Sequence, residues 1–151
     1  ERIRGARQSV AFLAFSFTHD DIGMAMEERS RAGVAVRGVV ETSGSDRPES
    51  EYGRLRRAGL DAAQPAGVPA AGCAAGPGVL PDGSSYLMHH KVIVIDARTV
   101  IFGSFNFSQN AARDNDENLL IVDDPAVARR FLEEFCRVYN LAADKAATKK
   151  P

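Results

Sequence analysis

Two short apolar runs, VIVI at 92–95 and TVIFG at 99–103, stand only a turn apart at Ala97 and Arg98, and no other feature narrows the fold as much. The first is β-branched throughout and has the composition of a strand buried on both faces. The second reads as its antiparallel partner and ends in Gly103, where backbone can come close to a ligand. Polar residues sit next to both runs. His89 and Lys91 precede the first, and Ser104 and Asn106 follow the second. Side chains alternate along a strand, so His89 and Lys91 share one face while His90 points to the other. An imidazole and an ammonium then converge on one spot.

That pairing suits a phosphodiester. A ring nitrogen can attack phosphorus, and a cation can hold the oxygens whose charge is redistributed in the transition state. Ser104 and Asn106, again of one parity, can donate to phosphate oxygens without adding a second charge. Glu117 opens the next apolar run, LLIV, and is expected to accept the other ring N–H of His89 and so fix its tautomer. Asp96 has the opposite parity to His89 and reads as supporting structure. His89 and His90 are strand neighbours on opposite faces and cannot readily chelate one ion. No metal and no cofactor are expected, since neither GxGxxG nor a P-loop is present.

The whole stretch, YLMHHKVIVIDARTVIFGSFNFSQNAARDNDENLLIV from Tyr86 to Val122, resembles the HKD signature of the phospholipase D superfamily. His89 and Lys91 are followed at the family spacing by Asp96 and then by Gly103, Ser104 and Asn106, so every fixed position is filled. The resemblance covers roughly residues 8 to 140. It implies a phospholipase D-like α/β sandwich, a mixed sheet flanked by helices, with one HKD unit in a domain of residues 1–142. In such enzymes two HKD units share one active site. One histidine forms a phosphohistidine, the other protonates the leaving oxygen, water releases the product, and no metal is required. Carried onto this chain, His89 is nucleophile or general acid, Lys91 and Asn106 clamp the phosphate, Ser104 is an auxiliary donor, Glu117 orients His89, and Asp96 supports. One unit is half a site. The implied partner is a second HKD unit, in a second copy of the chain or in the other half of a two-motif protein. A start at Glu1 instead of Met slightly favours the latter and reads as a truncated N-terminus. The FGSFNFSQNAARDNDEN stretch looks most like the nuclease-type branch, so nucleic acid is the expected substrate. A phospholipase D or phosphatidyltransferase acting on membrane lipid is the alternative, and a catalytically idle binding module the third reading.

Composition bounds the rest. At 151 residues, 44% of them hydrophobic, one globular domain is expected. A formal charge of −1 offers no global attraction to polyanions, so any such binding needs a local patch. Arg47, in the polar loop TSGSDRPES, and Arg54, Arg56 and Arg57 beyond it are the candidates. They follow a strand end, where open α/β folds place ligand contacts; a solvated helix face is the competing reading. Earlier, SVAFLAFSF reads as a buried strand, 21–32 as a helix capped by Thr18 or Asp20 and closed by Gly33, and 34–40 as a parallel strand. A short helix over 51–58 ends at Gly59, LDAAQ suggests a brief strand, and Ser108 to Arg113 a capped turn. Pro125 opens the last helix. The Ala/Gly/Pro-rich residues 65–83 are expected to form a flexible insertion and 143–151 a frayed tail. Cys73, in that insertion, and Cys136, on the last helix, read as two free thiols, with a structural disulfide as the alternative. No apolar run reaches the length of a membrane span and no signal-peptide layout is seen, which slightly favours the cytoplasm.

Overall fold

The strand, helix, strand pattern near the N-terminus builds a parallel pair. In the computed structural model, which describes residues 1–64 and 72–148, β1 (Ser9–Ala14) and β2 (Ala35–Val40) pair in parallel around α1 (Asp20–Arg31). Every residue of both strands is buried. Gly33, at φ +84°, takes the left-handed conformation that ends α1. Neither Thr18 nor Asp20 caps its start. The cap position is His19, without a side-chain bond. Backbone N–H groups of Thr18 and His19 both donate to the Phe107 carbonyl, at 2.8 and 2.9 Å. A tertiary contact with the motif segment therefore sets the helix start.

The expected hairpin is β4 (Lys91–Ile95) against β5 (Thr99–Gly103), antiparallel, with Asp96 and Ala97 turning at φ +51°. β4 also pairs antiparallel with β1, and β6 (Leu119–Asp123) with β5. At the other edge β3 (Val79–Pro81) joins β2 in parallel, giving a mixed six-stranded sheet of order β3-β2-β1-β4-β5-β6. One face packs Phe12, Ile93 and Phe107 against Met26 of α1 and Leu55 of α2 (Glu51–Leu55). The other packs Leu13 and Val94 against Leu132, Phe135 and Tyr139 of α4 (Pro125–Thr148). Full burial of such side chains contributes about 1.5–3 kcal/mol each. Between β5 and β6 lies α3 (Gln109–Arg113), capped by the Ser108 hydroxyl, which accepts from the Ala111 N–H. The result is the expected α/β sandwich, a mixed sheet flanked by helices.

Three expectations are corrected. Of the stretch read as a flexible insertion, 65–71 lies outside the described residues, but 72–83 is tied down. Cys73 is disulfide-bonded to Cys136 of α4, so these are not free thiols. Tyr139 donates to the Pro77 carbonyl at 2.5 Å, Asn140 donates to the Gly72 carbonyl and accepts from the Ala74 N–H, and β3 follows. Cys136, Tyr139 and Asn140 share one face of α4, three and four residues apart. Those partners are remote in sequence, so local composition could not reveal them. Second, LDAAQ forms no strand; after a π turn over Arg56–Leu60, Ala63 makes a single bridge to Pro77. Third, α4 continues to Thr148, well into the segment read as frayed, while 149–151 lies outside the described residues.

Candidate active site

The hairpin's open end collects the candidate groups. His89 and His90 lie just ahead of β4 and, as strand alternation requires, face opposite ways. The His89 ring packs on Phe15, centroids 4.5 Å apart, whereas His90 Nε2 reaches Glu134 of α4 at 3.3 Å. Lys91 is buried. Its Nζ donates to the His89 carbonyl at 2.9 Å, lies 3.3 Å from His89 Nε2, and sits 4.9 Å from the centre of the Phe15 ring. Phe15 ends the N-terminal strand segment, and its backbone N–H donates to the His90 carbonyl at 2.9 Å. The imidazole and the ammonium are thus held together on one aromatic face.

Across the hairpin, Gly103 lets the two chains close. A Cβ there would stand 2.3 Å from the Asn118 carbonyl oxygen, so only glycine fits. This approach places Ser104 beside β6. The Ser104 N–H donates to Asn118, and its hydroxyl donates to the Glu117 carboxylate, which also accepts from Asn115 at 3.0 Å. Those bonds hold the Glu117 carboxyl below the usual carboxylate range. Glu117 bonds Ser104 and Asn115 and, among the described residues, makes no hydrogen bond to His89, where its carboxylate was expected. Its field still reaches Lys91. Burial pushes the Lys91 ammonium down from the ordinary lysine value, and Glu117 opposes that shift. Asn106 follows closely, with its Oδ1 buried and without a hydrogen-bond partner among the described residues.

Asp96 is not part of this group. It stands at the other end of β4, where its carboxylate accepts from the backbone N–H groups of Arg7, Gln8 and Ser9 at 2.8 to 3.2 Å. It ties the start of β1 to the hairpin turn. Arg47 and Phe15 both line a cavity at the carboxyl ends of β1 and β2. Of the arginines beyond it, Arg54 is paired with Glu51 at 2.6 Å and Arg56 lies over the Tyr52 ring.

Sequence reasoning missed two residues of the site. One is Phe15, which reads as ordinary core. The other is Glu41, a carboxylate directly after β2 and buried to 7% exposure. Its two oxygens accept from the Met88 N–H at 2.8 Å and the Ser43 N–H at 3.1 Å. A lone acid closing a buried strand was the available signal. Glu41 fixes the backbone one residue before His89. An amide can accept at only one end, so Glu41→Gln leaves one N–H facing a donor. We expect a stability loss of about 1–3 kcal/mol and a kcat lower by roughly tenfold or more with KM little changed. Melting curves and steady-state kinetics check this; a purely structural Glu41 would lower the melting temperature and leave kcat per folded molecule intact.

Known proteins resemble this chain in sequence and in fold. Residues 1–139 match the family described as cardiolipin synthase, PLD-like domain. The mitochondrial cardiolipin hydrolase of Homo sapiens is 33% identical over 135 residues, covering 89% of this chain and 47% of that protein. The chain spans about half the length of the curated relatives it matches. Among solved structures, a phospholipase D family member, Nuc from Salmonella typhimurium, superposes with a TM-score of 0.74 at 28% identity, covering 92% of this chain and 82% of the other. NucT from Helicobacter pylori gives 0.70 at 26%, covering 91% and 82%.

Proposed function

The chain belongs to the phospholipase D superfamily, and on that footing we propose that it is a metal-independent phosphodiester hydrolase working through a phosphohistidine. The observation that carries this reading is the buried Lys91 ammonium, 3.3 Å from His89 Nε2 on the Phe15 face. His89 of one unit attacks phosphorus, forming the N–P bond as the P–O bond to the leaving group breaks. The equivalent histidine of a second unit gives its proton to the departing alkoxide, then takes one from the water that cleaves the N–P bond. Lys91 and Asn106 hold the phosphoryl oxygens, Asn106 through the N–H groups of its amide. Glu117 keeps Ser104 in place and supports the charge on Lys91.

Two substrate classes fit this chemistry. Nucleic acid is the reading that the motif region suggests. A phospholipid is favoured by an observation near the site: Tyr86 and Leu87, two to three residues before His89, are 84% and 61% exposed, with Leu141 exposed beside the same cleft. The human relative is a cardiolipin hydrolase, which supports the same reading. Among the described residues no helix is long and apolar enough to cross a membrane. Turnover in EDTA of bis(p-nitrophenyl) phosphate, single-stranded DNA and phospholipid vesicles tests the proposal. Activity abolished by chelation, or no acid-labile phosphoenzyme on rapid quench, would sink the mechanism.

The pH profile gives a second check. Lys91 clamps only while protonated, so activity is lost as pH rises through its pKa. Since burial lowers that pKa, the alkaline limb of kcat/KM is expected below the pH of an ordinary lysine. Glu117→Gln removes the charge that raises it, and the limb should move to still lower pH. An unmoved or upward-moving limb would remove Lys91 from the clamp.

A further inference from the structure

Phe15 packs on the His89 ring and also lines a cavity of about 290 Å³ at the carboxyl ends of β1 and β2. Ser16, Thr18, Ser43, Ser45 and Arg47 are among the residues that line it. Among the described residues Arg47 enters no ion pair, unlike Arg54. Of the two acids present, Glu41 is spent on Met88 and Ser43, and Glu49 is exposed at the rim, where water screens it. What remains is a cleft with one cation free of an ion pair, and the Phe15 that lines it is the residue packed on the His89 ring.

From this juxtaposition we infer that the cavity receives the phosphate next to the one being cleaved, with Arg47 as its ligand and the hydroxyls facing the polyol between them. The inference rests on the phosphodiesterase reading and narrows its substrate class. The preferred molecule carries two phosphates joined through an oxygen, three carbons and an oxygen. A nucleic-acid backbone has that repeat through C5′, C4′ and C3′, and cardiolipin has it through its bridging glycerol. Phosphatidylcholine and bis(p-nitrophenyl) phosphate do not. A forked guanidinium suits a phosphate at such a site, and the open position of Arg47 lets the rest of a polymer or lipid continue outward.

The probes are propane-1,3-diyl bisphosphate and propyl phosphate, titrated calorimetrically at low salt. The wild-type chain should bind the bisphosphate at least about tenfold more tightly, and Arg47→Gln should bring that ratio close to one, with Arg47→Lys between. Arg47 is exposed, so these variants should fold. Equal affinity of the wild type for both probes, or a loss in Arg47→Gln that is the same for each, overturns the subsite. Kinetics then identify the source. Cardiolipin is compared with phosphatidylglycerol in vesicles, and a dinucleotide with the same dinucleotide bearing a further terminal phosphate. A two-phosphate preference in either pair supports the inference and names the class. Preference in neither, by protein that turns over bis(p-nitrophenyl) phosphate, refutes it. Failure to turn over bis(p-nitrophenyl) phosphate at all counts against the hydrolase reading instead, and the titrations still decide the subsite.

Discussion

Replacing Cys73 and Cys136 together by serine is expected to remove about 4 kcal/mol of unfolding free energy and lower the urea midpoint by about 2 M. The cysteines lie 63 residues apart. Opening so large a loop returns its closure entropy to the unfolded chain, and that accounts for the estimate. A domain of this size is stable by roughly 5–15 kcal/mol, so the loss is a large fraction of the total. The folded state keeps the bonds from Tyr139 to Pro77 and from Asn140 to Gly72 and Ala74, so the effect should come mainly through the unfolded chain. Urea titrations of the wild type with and without dithiothreitol check it, with the double variant as reference. Superimposable curves would mean the bridge contributes nothing. Disulfides persist in oxidising compartments and are rare in the cytosol, so this bridge removes the support for a cytoplasmic setting.

What could be read from the sequence was what neighbours in the chain decide. Strand alternation alone separates His89 from His90, and they meet Phe15 and Glu134 on opposite faces of the sheet. The β4–β5 hairpin follows from two apolar runs and a three-residue connection. What stayed hidden depends on register or on distant partners. Glu117 was expected at His89, but the pairing of Gly103 with Leu119 brings Ser104 to it first. The segment after residue 71 looked too poor in side chains to order, and by itself it is; α4 supplies the disulfide and the hydrogen bonds. Glu41 meets Met88 only because the carboxyl end of β2 and the start of β4 lie at the same end of the strands. The start of α1 is set by Phe107, far away in sequence and adjacent in space.

His89→Ala should lower kcat by about 10⁴-fold or more, and mixing that variant with wild type should reveal more than the loss itself. A phosphohistidine mechanism needs one ring to attack and another to protonate the leaving oxygen. Of the chain's other two imidazoles, His90 is turned to α4 and Glu134 and His19 belongs to the start of α1, so one chain is read as supplying one such ring. If two copies share a site, a mixed pair holding a single His89 lacks one of the two functions. At constant total concentration, activity should then fall as the square of the wild-type fraction, to about a quarter in an equal mixture that has exchanged subunits. Independent sites would instead give a straight line, with half the activity remaining. Dilution adds a separate reading, because a shared site loses specific activity as pairs dissociate. A linear mixing curve together with dilution-independent turnover would confine the reaction to one chain. His89 would then have to work with a proton donor other than a second imidazole, and the Ser104 hydroxyl, held by Glu117 across the hairpin, would be the group to replace next.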